Sequence, residues 1–132
     1  MPLKDLLDLL EKLEGRVNSY WNFYSIVVFA TAGWLINKDI ALAPQAAIAI
    51  AVGLSAFFVV NLSVIYHAGR RIAAVEDEVR LCASAPSAVS SPLFHEYLQK
   101  LSIPHRSRYT FVFHLVLDIS LLTLLYLKGA WH

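Results

Sequence analysis

The sequence predicts an all-α integral membrane protein with three transmembrane helices, an N-terminal amphipathic helix and a cytoplasmic helical extension of the second span. Composition is the first reason. Of 132 residues, 58% are hydrophobic and 16% charged, against roughly 45–50% and about 25% in soluble domains. A chain this short buries only a modest fraction of its surface on folding, so much of that apolar surface needs lipid as its solvent. The second reason is that the apolar residues come in runs of membrane length. The third is that the cations fall almost wholly on one side of those runs. One Cys, five Gly and five Pro exclude a disulfide scaffold and a collagen-like chain. A net charge of +1 provides no field for nucleic acid, which is not expected as a partner.

Residues 1–19 read as an amphipathic helix. Leu3, Leu6, Leu7, Leu10, Leu13 and Val17 recur at helical spacing, and Lys4, Asp5, Asp8, Glu11, Lys12 and Glu14 take the other face. Gly15 weakens this helix near its end. Its apolar face suits either a membrane surface or packing on protein, and its mixed charge does not choose between them. The spans follow at 20–36, 44–66 and 109–127, which are 17, 23 and 19 residues long. A hydrocarbon core of roughly 30 Å needs roughly 20 mostly apolar residues.

Between the second and third spans, residues 67–108 continue the second helix, because no proline intervenes before Pro86 and Ile72, Val75 and Val79 keep helical spacing. The stretch 83–91 reads as a flexible linker, and Ser91-Pro92 as the cap and first turn of a short helix that Ile103-Pro104 ends. Glu76, Asp77 and Glu78 read as a solvated ion-pair surface with neighbouring arginines.

Nine of the 11 cations flank one side: Lys4, Lys12, Arg16, Arg70, Arg71, Arg80, Lys100, Arg106 and Arg108. Lys38 and Lys128 lie on the other. Cations stay cytoplasmic, which places the N-terminus inside and the C-terminus outside a cell (inner) membrane. Tyr20, Trp21, Tyr66 and Tyr109 form the inner aromatic belt, and Trp34, Tyr126 and Trp131 the outer one. Arg106 and Arg108 are expected to anchor the third span on anionic headgroups. No signal peptide is expected, and Cys82 reads as a reduced thiol.

The chemistry-bearing residue is Asp118, near the middle of the third span. A central Asp costs roughly 2.5–3.5 kcal/mol on insertion scales, so it must face protein or water with a partner. His114, four residues earlier, shares its helical face. Counted from the inner boundary, Ser25, Asn61 and His114 lie at one depth and Thr31, Ser55 and Asp118 at another, which predicts two stacked polar layers. Two uses compete, a proton or cation path and polar adhesion between helices. Small residues at four-residue spacing, Ala47, Ala51 and Ser55 on one face and Ala49 and Gly53 on the next, mark helix-packing surfaces. Three helices leave little room to shield an acid, so a homo-oligomer is expected.

The five histidines show no metal-ligand spacing, and phosphate-loop, GxGxxG, GxSxG and CxxC motifs do not occur. Neither a metal, a cofactor nor a catalytic group is expected. The layout of surface helix, three spans, extended second helix and outside C-terminus resembles bacterial diacylglycerol kinase, and Val60-Asn61-Leu62-Ser63 loosely resembles part of its second-span motif. The resemblance implies a trimeric enzyme using ATP and Mg²⁺. The family's glutamates around that asparagine are missing: Val59 precedes it and Ile65 to His67 follow, so lipid phosphorylation lacks a base here. The expectation is therefore a small homo-oligomeric pore or proton/cation pathway around Asp118 and His114, contacting membrane lipids. The alternatives are an accessory subunit holding a protein partner on the cytoplasmic helices, or a lipid-modifying enzyme.

Overall fold

A computed structural model describes residues 1–37, 39, 41–85, 87–101 and 105–130. Lys38, Pro86, Ile103, Pro104 and Trp131 lie outside them, and with them one outer cation, the proline bounding the second helix, the stop of the short helix and one belt aromatic. The described chain is helical: α1 Leu3–Ile36, α2 Pro44–Ala83, α3 Pro92–Gln99 and α4 Arg106–Ala130.

The amphipathic N-terminal segment and the first apolar run are one helix of 34 residues. The reason is a single inward stripe that never breaks register. Leu6, Leu10, Leu13, Val17, Trp21, Tyr24, Val28, Thr31 and Leu35 are its buried and half-buried positions, spaced by three or four. Gly15 sits on the exposed side with open space around it, so its low propensity is outweighed by the packing on either side.

Helix α2 runs unbroken for 40 residues, about 60 Å at about 1.5 Å per residue. It is the central element, in contact with α1, α3 and α4. Helix α3 begins with Pro92 in its first turn. Ser91 occupies the cap position with extended backbone, but its hydroxyl makes no capping bond. The helix ends at Gln99, earlier than the sequence suggests.

Two hydrophobic clusters divide the molecule. One joins Tyr24, Val28, Leu35, Leu42, Ala47, Phe58, Leu121 and Leu125 in what we call the apolar half. The other joins Leu6, Val79, Ala83 and Leu98 in the collar, where α1, α3 and the far end of α2 meet. Leu6 thus packs on protein.

Helices α2 and α4 are long and apolar enough to cross a membrane. Only 17% and 22% of their most apolar stretches are buried, whereas a soluble core helix of that length is mostly buried. Among the described residues α1 does not meet the same test, because Tyr20, Trp21, Asn22 and Tyr24 dilute its apolar run. Its second half nonetheless exposes Phe23, Ile26 and Phe29.

At the far end of the apolar half, α2 and α4 touch closely. A Cβ added to Gly129 would stand 2.9 Å from the Ala47 Cβ. Ala51 and Ser55 continue that face beside Leu122 and Leu125. Ala49 and Gly53 are exposed on another side of α2.

Candidate functional site

The polar groups of the apolar half converge at the crossing of α1, α2 and α4. His114 and Asp118 sit one turn apart on α4, and the His114 Nδ1 lies 2.6 Å from Asp118 Oδ2. Tyr24 of α1 donates its O–H to Asp118 Oδ1 at 2.7 Å. The Asn61 amide nitrogen of α2 lies 3.2 Å from His114 Nε2. The result is one chain of bonds, Tyr24–Asp118–His114–Asn61, that ties three helices together. His114 is fully buried and Asp118 is 7% exposed.

The rings around it are as ordered as the hydrogen bonds. Tyr24 stacks on His114 at 4.0 Å between centroids, Trp21 lies 5.9 Å from the imidazole, and Phe58 meets it edge-on at 6.4 Å. These rings keep water from the polar atoms and hold the imidazole in one orientation.

The bonding fixes protons. An amide nitrogen can only donate, so with Asn61 in this orientation His114 Nε2 accepts and its proton sits on Nδ1, donated to Asp118. Turning the amide over presents its oxygen instead, which suits an imidazolium carrying both protons. Asn61 therefore has a partner role for both charge states of His114. With Asp118 ionised and His114 neutral the cluster carries one negative charge, and one added proton neutralises it. Both Asp118 oxygens are engaged, one by the Tyr24 O–H and the other by a ring nitrogen of His114.

The two expected layers are drawn differently by the structure. Asn61, His114 and Asp118 come together. Ser25, Thr31 and Ser55 are half-buried, and no hydrogen bond joins them to the cluster. The partner from α1 is Tyr24, one residue from Ser25, and sequence reasoning passed over it. The available signal was its place on the inward stripe with a hydroxyl that must find a partner when buried. Because Tyr24 covers Asp118 within one chain, shielding the acid requires no second copy.

A second cluster lies where the collar meets the apolar half. Arg106, in the first turn of α4, reaches Glu76 of α2 at 3.2 Å and Glu14 of α1 at 3.6 Å. Glu76 is only 2% exposed, which corrects its reading as part of a solvated surface. It falls on the stripe Ile72, Glu76, Val79, Ala83 that α2 turns inward. Asp77 does pair with Arg80 at the surface. Burial pushes the Glu76 carboxyl above its ordinary value, with Arg106 pulling the other way and Glu14 and Asp77 reinforcing the rise. Arg106 is accordingly a bridge between helices, where the sequence suggested a headgroup anchor.

Beside this cluster an open cavity of about 340 Å³ separates α1, α2 and α4, lined by Glu14, Asn18, Trp21, Arg106, Ser107 and Thr110 among others. Among the described residues no three His, Cys, Asp or Glu side chains converge as a metal would require. Asn61, on which the kinase resemblance rested, is buried against His114. Compared with known proteins, the chain matches no family model, no curated protein and no solved structure. Fold and site together define a helical bundle with a buried carboxylate–imidazole pair at a three-helix crossing.

Proposed function

We propose that this chain is a three-span membrane protein that binds and passes protons through Asp118 and His114, held in place by Tyr24 and Asn61, with its collar on the cytoplasmic side. The observation that carries this reading is the unbroken bonded chain from Tyr24 O–H through Asp118 and His114 to Asn61. Buried acids in apolar spans recur in proton relays, and the Asp118 carboxylate and the His114 imidazole can trade a proton across their 2.6 Å contact. The close engagement of both Asp118 oxygens favours protons over hydrated cations. For the third span, the support is the exposed apolar face of Phe23, Ile26 and Phe29 on α1, which would otherwise face water. The side assigned to the collar rests on the cation asymmetry.

Proton flux in liposomes tests the reading, comparing wild type with Asp118→Asn at matched incorporation and oligomeric state. Asp118→Asn preserves shape and removes the titrating oxygen, so flux should vanish while the fold persists. Equal flux in both proteins, or none in folded wild type, would overturn the proposal.

One observation favours a second reading, in which the collar joins copies of the chain. Leu81, Leu93 and Tyr97 are exposed at the collar, with Phe94 stacked on Tyr97. Native mass spectrometry of wild type against Leu93→Ser with Tyr97→Ser decides it, since loss of an oligomer in the variant is the expected result.

A further inference from the structure

The cavity beside Arg106 lies directly beneath the bonded chain. Two of its walls are Ile65, one turn along α2 from Asn61, and Thr110, one turn before His114 on α4. A third is Trp21, whose indole also contacts the rings of Tyr24, His114 and Phe113 at centroid distances of 5.5–6.0 Å. A single side chain therefore both lines the cavity and packs against the imidazole. The rest of the lining suits water. Glu14, Asn18, Ser107 and Thr110 supply donors and acceptors, and about 340 Å³ accommodates roughly ten waters at about 30 Å³ each.

We propose that this cavity is a water-filled mouth through which protons reach His114, and that the Trp21 indole is the partition between water and the bonded chain. The inference rests on the proton-passing reading for its purpose, but its geometry is tested without flux. Water and hydronium are the ligands. Glu14 and Arg106 line the mouth as an ion pair at 3.6 Å. The Trp21 indole N–H is a donor only and offers no lone pair to relay a proton. Passage therefore requires the ring to move aside, and the narrow part of the route is a side-chain rotation.

The test uses the full chain in lipid nanodiscs, with both faces accessible, in a Cys82→Ala background. Thr110→Cys should react with a charged thiol reagent about tenfold or more faster than Val112→Cys, because the thiolate is the nucleophile and needs water. Val112 is exposed on the apolar half and faces lipid on this reading. In parallel, a water-soluble carbodiimide is applied to Trp21→Ala, Trp21→Phe and the unsubstituted ring, and the Asp118 peptide is read by mass spectrometry. Asp118 should be modified in Trp21→Ala and protected in the other two. Equal protection of Thr110→Cys and Val112→Cys would overturn the water-filled mouth. Asp118 unreactive in Trp21→Ala, with Thr110→Cys still labelled in that variant, would overturn the partition. Labelling as expected without proton flux would leave this inference standing and remove the transport reading.

Discussion

The apolar half and the collar each bury a carboxylate, and they neutralise it by different means. Asp118 is held by a phenol and an imidazole, uncharged groups that hydrogen-bond to its two oxygens. Glu76 is held by the Arg106 guanidinium, which stays protonated at any physiological pH. One arrangement can change its charge state without losing a bond, whereas the other is a fixed clamp. The cohesive forces differ too. In the collar, Leu6, Val79 and Leu98 leave water, each contributing about 1.5–3 kcal/mol. If the apolar half lies in lipid, as proposed, no such drive exists between its helices, and it depends on close contacts such as Gly129 against Ala47 and on its hydrogen bonds.

The largest expected effect falls on the clamp. Arg106→Ala leaves Glu76 buried without its cation and should cost about 3 kcal/mol near neutral pH, measured by reversible unfolding in mixed micelles. The loss should shrink as pH falls below the raised Glu76 value, where the carboxyl is protonated. An undiminished loss at acid pH would mean that Arg106 acts by packing alone. Next comes Gly129→Val, which drives new side-chain atoms into the Ala47 methyl and should cost about 2 kcal/mol. The collar should be unaffected by it, as local hydrogen exchange at Val79 and Leu98 would report.

Tyr24→Phe should cost only about 1 kcal/mol, the usual worth of one hydrogen bond between membrane helices. A much larger loss would show that the two halves are held by similar forces after all. The smallest effect concerns pH. Because burial raises Glu76 in the fold, the folded state holds more protons than the unfolded one between the ordinary carboxylate value and the raised one. Stability from this group is therefore greatest at low pH and falls as pH rises through that window. Facing Glu76 are Arg106, Glu14, Asp77 and Arg80. Glu76→Gln should flatten the slope of collar stability with pH while leaving the apolar half unchanged.

Sequence alone carried the helices well, because apolar run length and inward spacing are local properties of the chain. It carried the Asp118–His114 pair for the same reason, four residues being one helical turn. Asn61 followed from depth. Tyr24 did not, since an aromatic near a span boundary also fits an interfacial belt, and only packing tells a stripe residue from a belt residue. Glu76 was hidden by its charged neighbours. Its burial depends on Arg106, 30 positions away, and no local pattern encodes that meeting. The continuity of α1 was hidden by Gly15, whose cost is local while the compensating contacts of Leu10 and Val17 are tertiary.

The His114–Asp118 bond has a consequence for how the chain is made. Both partners belong to one turn of one helix, so, on the membrane-spanning reading, α4 would enter the bilayer with its acid already hydrogen-bonded, before α1 and α2 have gathered around it. Tyr24 and Asn61 then complete a pair that exists beforehand. The order of assembly is therefore free: late arrival of either neighbour delays the finished site without stranding a bare charge in the lipid.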